Sequence, residues 1–387
     1  MVTVKILITD DETDLELLIR QRFRKQIRDK AYEFLFAHNG LEALEILKAD
    51  PSIQLVLSDI NMPVMDGLEL LSRIKEHDTM IQPVIVSAYG DMTNIRTAMN
   101  RGAFDFLTKP IDFADFETTV TKTLSHCEAL RQAAETRTKL SVLQRELDLA
   151  CQIQQSILPK VFPPFPGMTA ADIHAIMLPA RNVGGDFYDF FLIEDDKLAV
   201  VIGDVSGKGM PAAIFMAMSR TLLKAVASRS TDPGACLTEV NTLLCRDNNA
   251  EMFVTLFYGV LDAGAGTFSY SNGGHNPPYL LRPSSPPAQL EMTGNMMLGM
   301  IEGQEYNTRQ VPIKSGDLLF LYTDGVTEAM DPASNQFTER RLEEYLRGAA
   351  TGDTDSVIKG IVEAVRLFAG GAPQSDDLTA LALRYRR

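Results

Sequence analysis

The sequence predicts an α/β molecule in three parts: a doubly wound, five-stranded parallel sheet, a long linker helix, and an α+β β-sandwich. Three observations predict it. Short apolar runs alternate with helix-period segments over residues 1–125. From Phe113 to Leu158 the chain has neither Gly nor Pro. Beyond Ala170 short β-rich runs dominate, with three helical stretches among them. A chain of 387 residues suits two or three domains, and we divide it at 1–125, 126–158 and 159–387.

The first apolar run is Lys5–Thr9, followed by a helix-period segment over Asp14–Arg28. The alternation continues with Glu33–Ala37, Leu41–Lys48, Leu55–Ser58, Leu68–Lys75, Pro83–Ser87 and Phe104–Thr108. Apolar residues three and four apart give each helical segment one face to bury. Apolar strands between such helices suit a parallel sheet covered on both faces.

Over Phe113–Leu158 the residues Leu130, Leu140, Leu143, Leu147, Ile153 and Ile157 form a helical stripe among Gln, Glu, Arg and Lys. This predicts one helix with a single apolar face, a candidate coiled coil whose heptad is imperfect because Arg137 falls near the seam. Pro159, Pro163, Pro164 and Pro166 break the helix and open the last domain. There the strand-like runs are Leu198–Ile202, Thr255–Leu261, Phe268–Ser271, Leu318–Tyr322 and Leu378–Leu383. Helices are expected over Ala212–Ser228, Cys236–Asp247 and Ser356–Phe368, and residues 282–289 read as an exposed loop.

Composition narrows the function classes. With 45% hydrophobic and 23% charged residues the chain is globular. A net charge of -14 disfavours nucleic-acid binding. Cys127, Cys151, Cys236 and Cys245 are scattered without metal-ligand spacing. No signal peptide is expected and no apolar run nears the ~18 residues of a membrane span, so we expect a cytoplasmic location and no membrane partner.

Five polar positions fall at the expected C-terminal ends of strands, where open α/β sheets carry their sites: Asp10, Asp11, Asp59, Ser87 and Lys109. Clustered carboxylates repel unless a hard divalent cation lies between them. Asp59 is placed to attack a phosphoryl group, Lys109 to offset charge on the transferring oxygens, and Ser87 to hydrogen-bond the bound group. Alone, an Asp-Asp pair is usually a turn or cap; the joint occurrence in order is specific. Residues 1–125 resemble the receiver domain of bacterial response regulators, through Ile8-Thr9-Asp10-Asp11, Ser58-Asp59-Ile60-Asn61-Met62-Pro63, Met65-Asp66-Gly67, Val86-Ser87-Ala88 and Phe106-Leu107-Thr108-Lys109-Pro110. The resemblance implies that Asp59 is phosphorylated by a cognate histidine kinase, and that Asp10, Asp11, Asp59 and the Asn61 carbonyl hold Mg²⁺. It further implies that Phe106 moves with the switch and that the Lys109-Pro110 bond is cis.

The last domain carries four acidic signatures: Gly184-Gly185-Asp186-Phe187-Tyr188-Asp189, Gly203-Asp204-Val205-Ser206-Gly207-Lys208-Gly209, Thr323-Asp324-Gly325 and Ser375-Asp376-Asp377-Leu378-Thr379. Any one Asp-Gly is more often a turn than a ligand. Four together, with no His or Cys cluster, favour oxygen-only ligation of Mg²⁺ or Mn²⁺ over zinc. With Ile153-Gln154-Gln155-Ser156-Ile157-Leu158-Pro159 and Gly273-Gly274-His275-Asn276-Pro277-Pro278, they resemble the PPM-type, or protein phosphatase 2C, serine/threonine phosphatases of the SpoIIE/RsbU branch. The resemblance covers about residues 147–387. It implies two Mn²⁺ or Mg²⁺ bridged by Asp186 and Asp204, with the Val205 carbonyl completing one shell and Asp324 and Asp376 holding the second ion. Asp377 is expected as a neighbour, not a principal ligand. His275 suits either a general acid or a structural turn.

The expected function is that of a two-component response regulator whose output dephosphorylates phosphoserine or phosphothreonine on a protein. The resemblance suggests an anti-sigma-factor antagonist of the STAS type as the phosphorylated partner. A non-catalytic adaptor is the alternative; it would be marked by lost metal acids, and all are present. The apolar stripe on the long helix predicts a homodimer.

Overall fold

The computed structural model describes residues 3–77, 80–88, 91–162, 169–194, 196–246, 248–283 and 285–387. Pro163, Pro164 and Pro166, and Asp247 at the expected end of a helix, lie outside the described residues. The chain divides into two compact units, Met1–Leu143 and Gln144–Arg387.

The first unit runs β1 (Val4–Thr9), α1 (Thr13–Arg22), α2 (Arg24–Arg28), β2 (Tyr32–Ala37), α3 (Gly40–Ala49), β3 (Ile53–Asp59), α4 (Gly67–His77), β4 (Gln82–Ala88), α5 (Met92–Asn100), β5 (Asp105–Lys109) and the start of α6 (Phe113–Ile157). The strands pair in parallel in the order β2-β1-β3-β4-β5. Alternation along each strand explains the double cover. Ile6, Ile8, Leu55 and Leu57 pack with Ile19, Phe23, Phe116 and Val120 on one face. Leu7 and Val56 pack with Ala43, Leu44, Leu70 and Ile74 on the other. After β2 at the edge, the chain crosses past β1 to β3 on its other side, which puts the strand ends bearing Asp10 and Asp59 next to each other. The single helix expected over Asp14–Arg28 is two, broken at Phe23, whose ring is buried against Phe34 and Phe116. The Lys109-Pro110 peptide is cis.

The second unit begins within α6 and continues β6 (Ala171–Leu178), β7 (Phe187–Glu194), β8 (Lys197–Val205), α7 (Met210–Ala227), α8 (Pro233–Arg246), β9 (Val254–Asp262), β10 (Thr267–Gly273), β11 (Tyr279–Leu281), β12 (Ala288–Gln289), β13 (Arg309–Pro312), β14 (Leu318–Tyr322), α9 (Asp324–Thr327), α10 (Thr338–Ala349), α11 (Thr354–Ala369) and β15 (Leu378–Tyr385). Two antiparallel sheets form, ordered β13-β10-β9-β8-β7 and β12-β11-β14-β15-β6. Leu319, Leu321, Leu381 and Leu383 share a core with the first sheet and with α7 and α8. Their strand neighbours Leu318, Phe320, Ala380 and Ala382 face the other way, into a core with α10 and α11. The domain is therefore an α–β–β–α sandwich, and strands such as β14, buried on both faces, read as continuous apolar runs. The loop expected over residues 282–289 contains the short edge strand β12.

By length and composition α7 is apolar enough to cross a bilayer, contrary to the expectation for this chain. It is instead a packed helix: Ala212, Met216, Leu223 and Val226 are buried in the sandwich core.

Candidate functional site

At the C-terminal edge of the parallel sheet, Asp10, Asp11 and Asp59 bring carboxylate oxygens within 4.8 Å of one another. Lys109, the last residue of β5, reaches across: its Nζ lies 2.7 Å from Asp59 Oδ2 and 2.9 Å from Asp10 Oδ2. Burial raises the Asp10 carboxyl above its usual range. Burial also opposes the charge on Lys109, but hydrogen bonds to Asp59 and Asp10 prevail and raise its pKa. The Ser87 Oγ is fully buried and has no hydrogen-bond partner among the described residues. The Asn61 N–H lies 3.4 Å from Asp59 Oδ1. Gly67 is needed here, because a Cβ would meet the Asp59 carbonyl oxygen at 2.1 Å.

In the sandwich, Asp186 lies just before β7, Asp204 within β8, Asp324 opens α9, and Asp376 precedes β15. The side chains of Asp204 and Asp186 are neighbours. Burial, then the charge of Asp204, pushes the Asp186 carboxyl well up. Burial, then the charge of Asp324, raises Asp204 to about 7. Burial, with Glu328 and Asp376, also raises Asp324. The Val205 carbonyl lies against Gly185, 2.9 Å from where a Cβ would stand, beside Asp186. Asp376 is more exposed and pairs with Lys208 at 2.9 Å. His275 is buried; its Nδ1 lies 2.9 Å from Thr255 Oγ1 and its Nε2 3.1 Å from the Tyr322 carbonyl. Burial lowers its pKa to about 4, so the ring is neutral at pH 7, with both nitrogens engaged within the fold.

A family model described as a response regulator receiver domain matches residues 6–121. The Sporulation initiation phosphotransferase F of Bacillus subtilis is 36% identical over 32% of this chain and 96% of its own length. The chain belongs to the response-regulator receiver family. Behind the receiver, the model for Stage II sporulation protein E (SpoIIE) matches residues 194–386. Protein IcfG of Synechocystis sp. is 36% identical over 64% of this chain, and the chain spans only 42% of IcfG. The Phosphoserine phosphatase RsbU of Bacillus subtilis is 29% identical over 63% of this chain and 71% of its own length. Among solved structures, the SiaA-PP2C domain of Pseudomonas aeruginosa has a TM-score of 0.56 at 23% identity, covering 64% of this chain and 98% of that one, which shows a shared fold.

Within the SpoIIE-family domain several working contacts escape a reading of the sequence. Thr323 donates from Oγ1 to Asp186 Oδ2 at 2.7 Å and accepts from the Thr379 N–H at 3.0 Å, which fixes the carboxylate. Asp377 accepts from the N–H groups of Ala180 (2.8 Å) and Gly185 (2.7 Å), so its charge orders the loop before Asp186. Gly325 admits the Asp377 carbonyl, which would lie 1.9 Å from a Cβ. Gln154, near the end of α6, exchanges two hydrogen bonds with Gly184, its Nε2 donating at 2.6 Å and its Oε1 accepting at 3.1 Å. Asp189 is buried and pairs with Arg220 of α7 at 2.7 Å. Thr323, Asp189 and Gln154 all fall inside the quoted motifs, but only proximity in the fold assigns them partners.

Both acid groups fit divalent cations on their own chemistry. Asp186 is buried and Asp204 partly so, and both are held above their ordinary range, Asp186 by burial and the charge of Asp204, Asp204 by burial and the charge of Asp324, so a counter-charge would stabilise them. In the receiver, Lys109 meets only part of the charge of three clustered carboxylates.

Proposed function

We propose that this chain is a two-component response regulator whose output is metal-dependent hydrolysis of phosphoserine or phosphothreonine on a regulatory protein. The observation that carries this reading is the cluster of Asp186, Asp204 and Asp324, whose carboxyls burial and neighbouring negative charge push upward, at the edge of and within the region matched by the SpoIIE model. Asp186 and Asp204 would bridge two Mn²⁺ or Mg²⁺, the Val205 carbonyl would complete one shell, and Asp324 and Asp376 would hold the second ion. Such ions, when bound, lower the pKa of water and offset charge on a phosphoester. Thr323 and Asp377 keep Asp186 and its loop in place, so little reorganisation is left to the reaction itself.

In the receiver, Asp59 is the proposed phospho-acceptor for a histidine kinase. Mg²⁺ would be held by Asp10, Asp11, Asp59 and the Asn61 carbonyl, while Lys109 and Ser87 would contact the phosphoryl oxygens. We place the chain in the cytoplasm, with residues 126–158 as the linker between receiver and phosphatase and as the dimer contact. The name of RsbU, a phosphoserine phosphatase, supports the reaction class, and an anti-sigma-factor antagonist of the STAS type is the proposed substrate.

The test is phosphate release from a phosphoserine-bearing antagonist, with Mn²⁺ or Mg²⁺, by the full chain and by Asp204→Ala. Release that needs the ion and is lost in the variant is expected. Binding of the phosphoprotein without release under any ion would replace the enzyme with an adaptor.

A further inference from the structure

Next to the acid group of the SpoIIE-family domain lies a cavity of about 360 Å³, within the size range of ligand pockets. Gly325 and Ser375 line it, and these are the chain neighbours of Asp324 and Asp376. Its wall is apolar, from Val362, Val365 and Ala369 of α11 and from Met330 beyond α9. One cation lines it among the described residues, Arg366, which is exposed and has no ion pair or side-chain hydrogen bond among them.

The rim is built, not loose. Gln374 donates through Nε2 to the carbonyls of Leu178 (2.8 Å) and Asp376 (2.7 Å), tying the loop before β15 to the end of β6. Gly370, in the left-handed region at φ 54°, ends α11 by donating its N–H to the Arg366 carbonyl, so the backbone that carries the guanidinium is capped.

We propose that this cavity docks an acidic side chain of the phosphoprotein substrate, close in sequence to its phosphoserine, with the carboxylate paired to Arg366 and the methylene stem on the apolar wall. The proposal rests on the phosphatase reading above and adds to it the feature of the substrate that is recognised. Two observations select the occupant. Gly325 and Ser375, the chain neighbours of Asp324 and Asp376, line the cavity, so it lies beside the place where a bound segment would present its phosphoserine. In a protein of net charge -14, acidic partners are repelled in general, and an unpaired guanidinium is a local exception. An apolar wall without Arg366 would select only bulk; a carboxylate meets both features. An extended segment advances ~3.3 Å per residue, so three positions on either side of the phosphoserine sample about 10 Å in each direction.

The experiment uses the full chain and a set of phosphoserine peptides that are alanine elsewhere. Each carries a single Glu, or in its matched control a single Gln, at one of the three positions on either side. Equilibrium binding is read by fluorescence anisotropy, and phosphate release is measured in parallel with Mn²⁺. At one position or two adjacent ones, the wild type should bind the Glu peptide about fivefold tighter than its Gln control, as an exposed ion pair allows. Arg366→Gln should abolish that discrimination and Arg366→Lys should keep most of it. Equal binding of Glu and Gln peptides at every position overturns the proposal, as does discrimination that survives in Arg366→Gln. A uniform loss of affinity for both peptides in Arg366→Gln also overturns it, since Arg366 would then be reading the phosphate. Discrimination through Arg366 without phosphate release would leave the docking site standing and sink the phosphatase reading.

Discussion

The His275 ring takes a hydrogen bond at Nδ1 from the Thr255 hydroxyl and gives one from Nε2 to the Tyr322 carbonyl, which fits the neutral tautomer. Burial lowers its pKa from 6.5 to about 4, so the unfolded chain gains this proton near pH 6.5 and the folded one only near 4. Its contribution to stability is therefore full above pH 6.5 and is lost as pH falls toward 4, by about 3 kcal/mol. His275→Gln should lose less stability between pH 7 and pH 4.5 than the wild type in denaturant unfolding. A wild-type and variant loss of equal size would show that His275 is already protonated in the fold. Asp204 behaves oppositely, because burial and the charge of Asp324 make its ionised form unwelcome in the ion-free fold. Asp204→Asn removes that repulsion while weakening a proposed ion ligand. We expect the ion-free variant to melt a few degrees above wild type, and phosphate release to fall at least ~10³-fold. Lower melting together with retained activity would contradict both halves of the argument. Such residues were legible as types but not as environments: Gly273-Gly274-His275 left two roles open, and the burial and partners of the ring are visible only in the fold.

Elements were legible where one physical signal dominated. The Gly- and Pro-free segment from Phe113 predicts α6 nearly to its observed end at Ile157, and β14 matches its apolar run, Leu318–Tyr322. Strand β7 was hidden because Phe187–Glu194 begins inside the acidic signature and is buried on both faces near its start, without alternation. Helix α10 was hidden because its Arg and Glu residues leave few apolar positions, Leu342 and Leu346 being its buried ones. The end of α6 carries a consequence of its own. Gln154 is buried and satisfies both backbone groups of Gly184, two residues before Asp186. Gln154→Ala strands a buried N–H and a buried C=O, at about 1–3 kcal/mol each. We expect a loss of about 2–4 kcal/mol in unfolding of the SpoIIE-family domain, with a higher divalent-ion concentration needed for half-maximal phosphate release. An unchanged ion requirement would mean that α6 does not set the position of the Asp186 loop.

In the whole molecule, α6 belongs to both compact units, its 45 residues beginning in the receiver and ending at Gln154 and Ile157 in the SpoIIE-family domain. Its middle leaves Leu140 and Leu143 exposed, at 62% and 53%. Burying such side chains is worth roughly 1.5–3 kcal/mol each, so the stripe favours a partner helix, and the same stripe of a second copy is the simplest match. A helix without a break transmits rotation and displacement, because each residue is fixed to the next by about 100°. Phosphorylation of Asp59 is then expected to act on the Gly184 loop through the pairing of two α6 helices, as a bias between two packings. Two glycines inserted after Thr138 turn everything beyond by about 200° and weaken the helix by about 1 kcal/mol per glycine, which takes Leu140 and Leu143 off the seam. Seven helix-forming residues at the same place turn it by nearly two full turns and restore the seam. The two-glycine chain should keep both domains folded, hydrolyse phosphoserine at one fixed rate, and ignore acetyl phosphate. The seven-residue insertion should respond to acetyl phosphate as the wild type does. A two-glycine chain that still responds normally would exclude the helix as the carrier, and wild-type chains that sediment as monomers at micromolar concentration in both states would exclude the pairing.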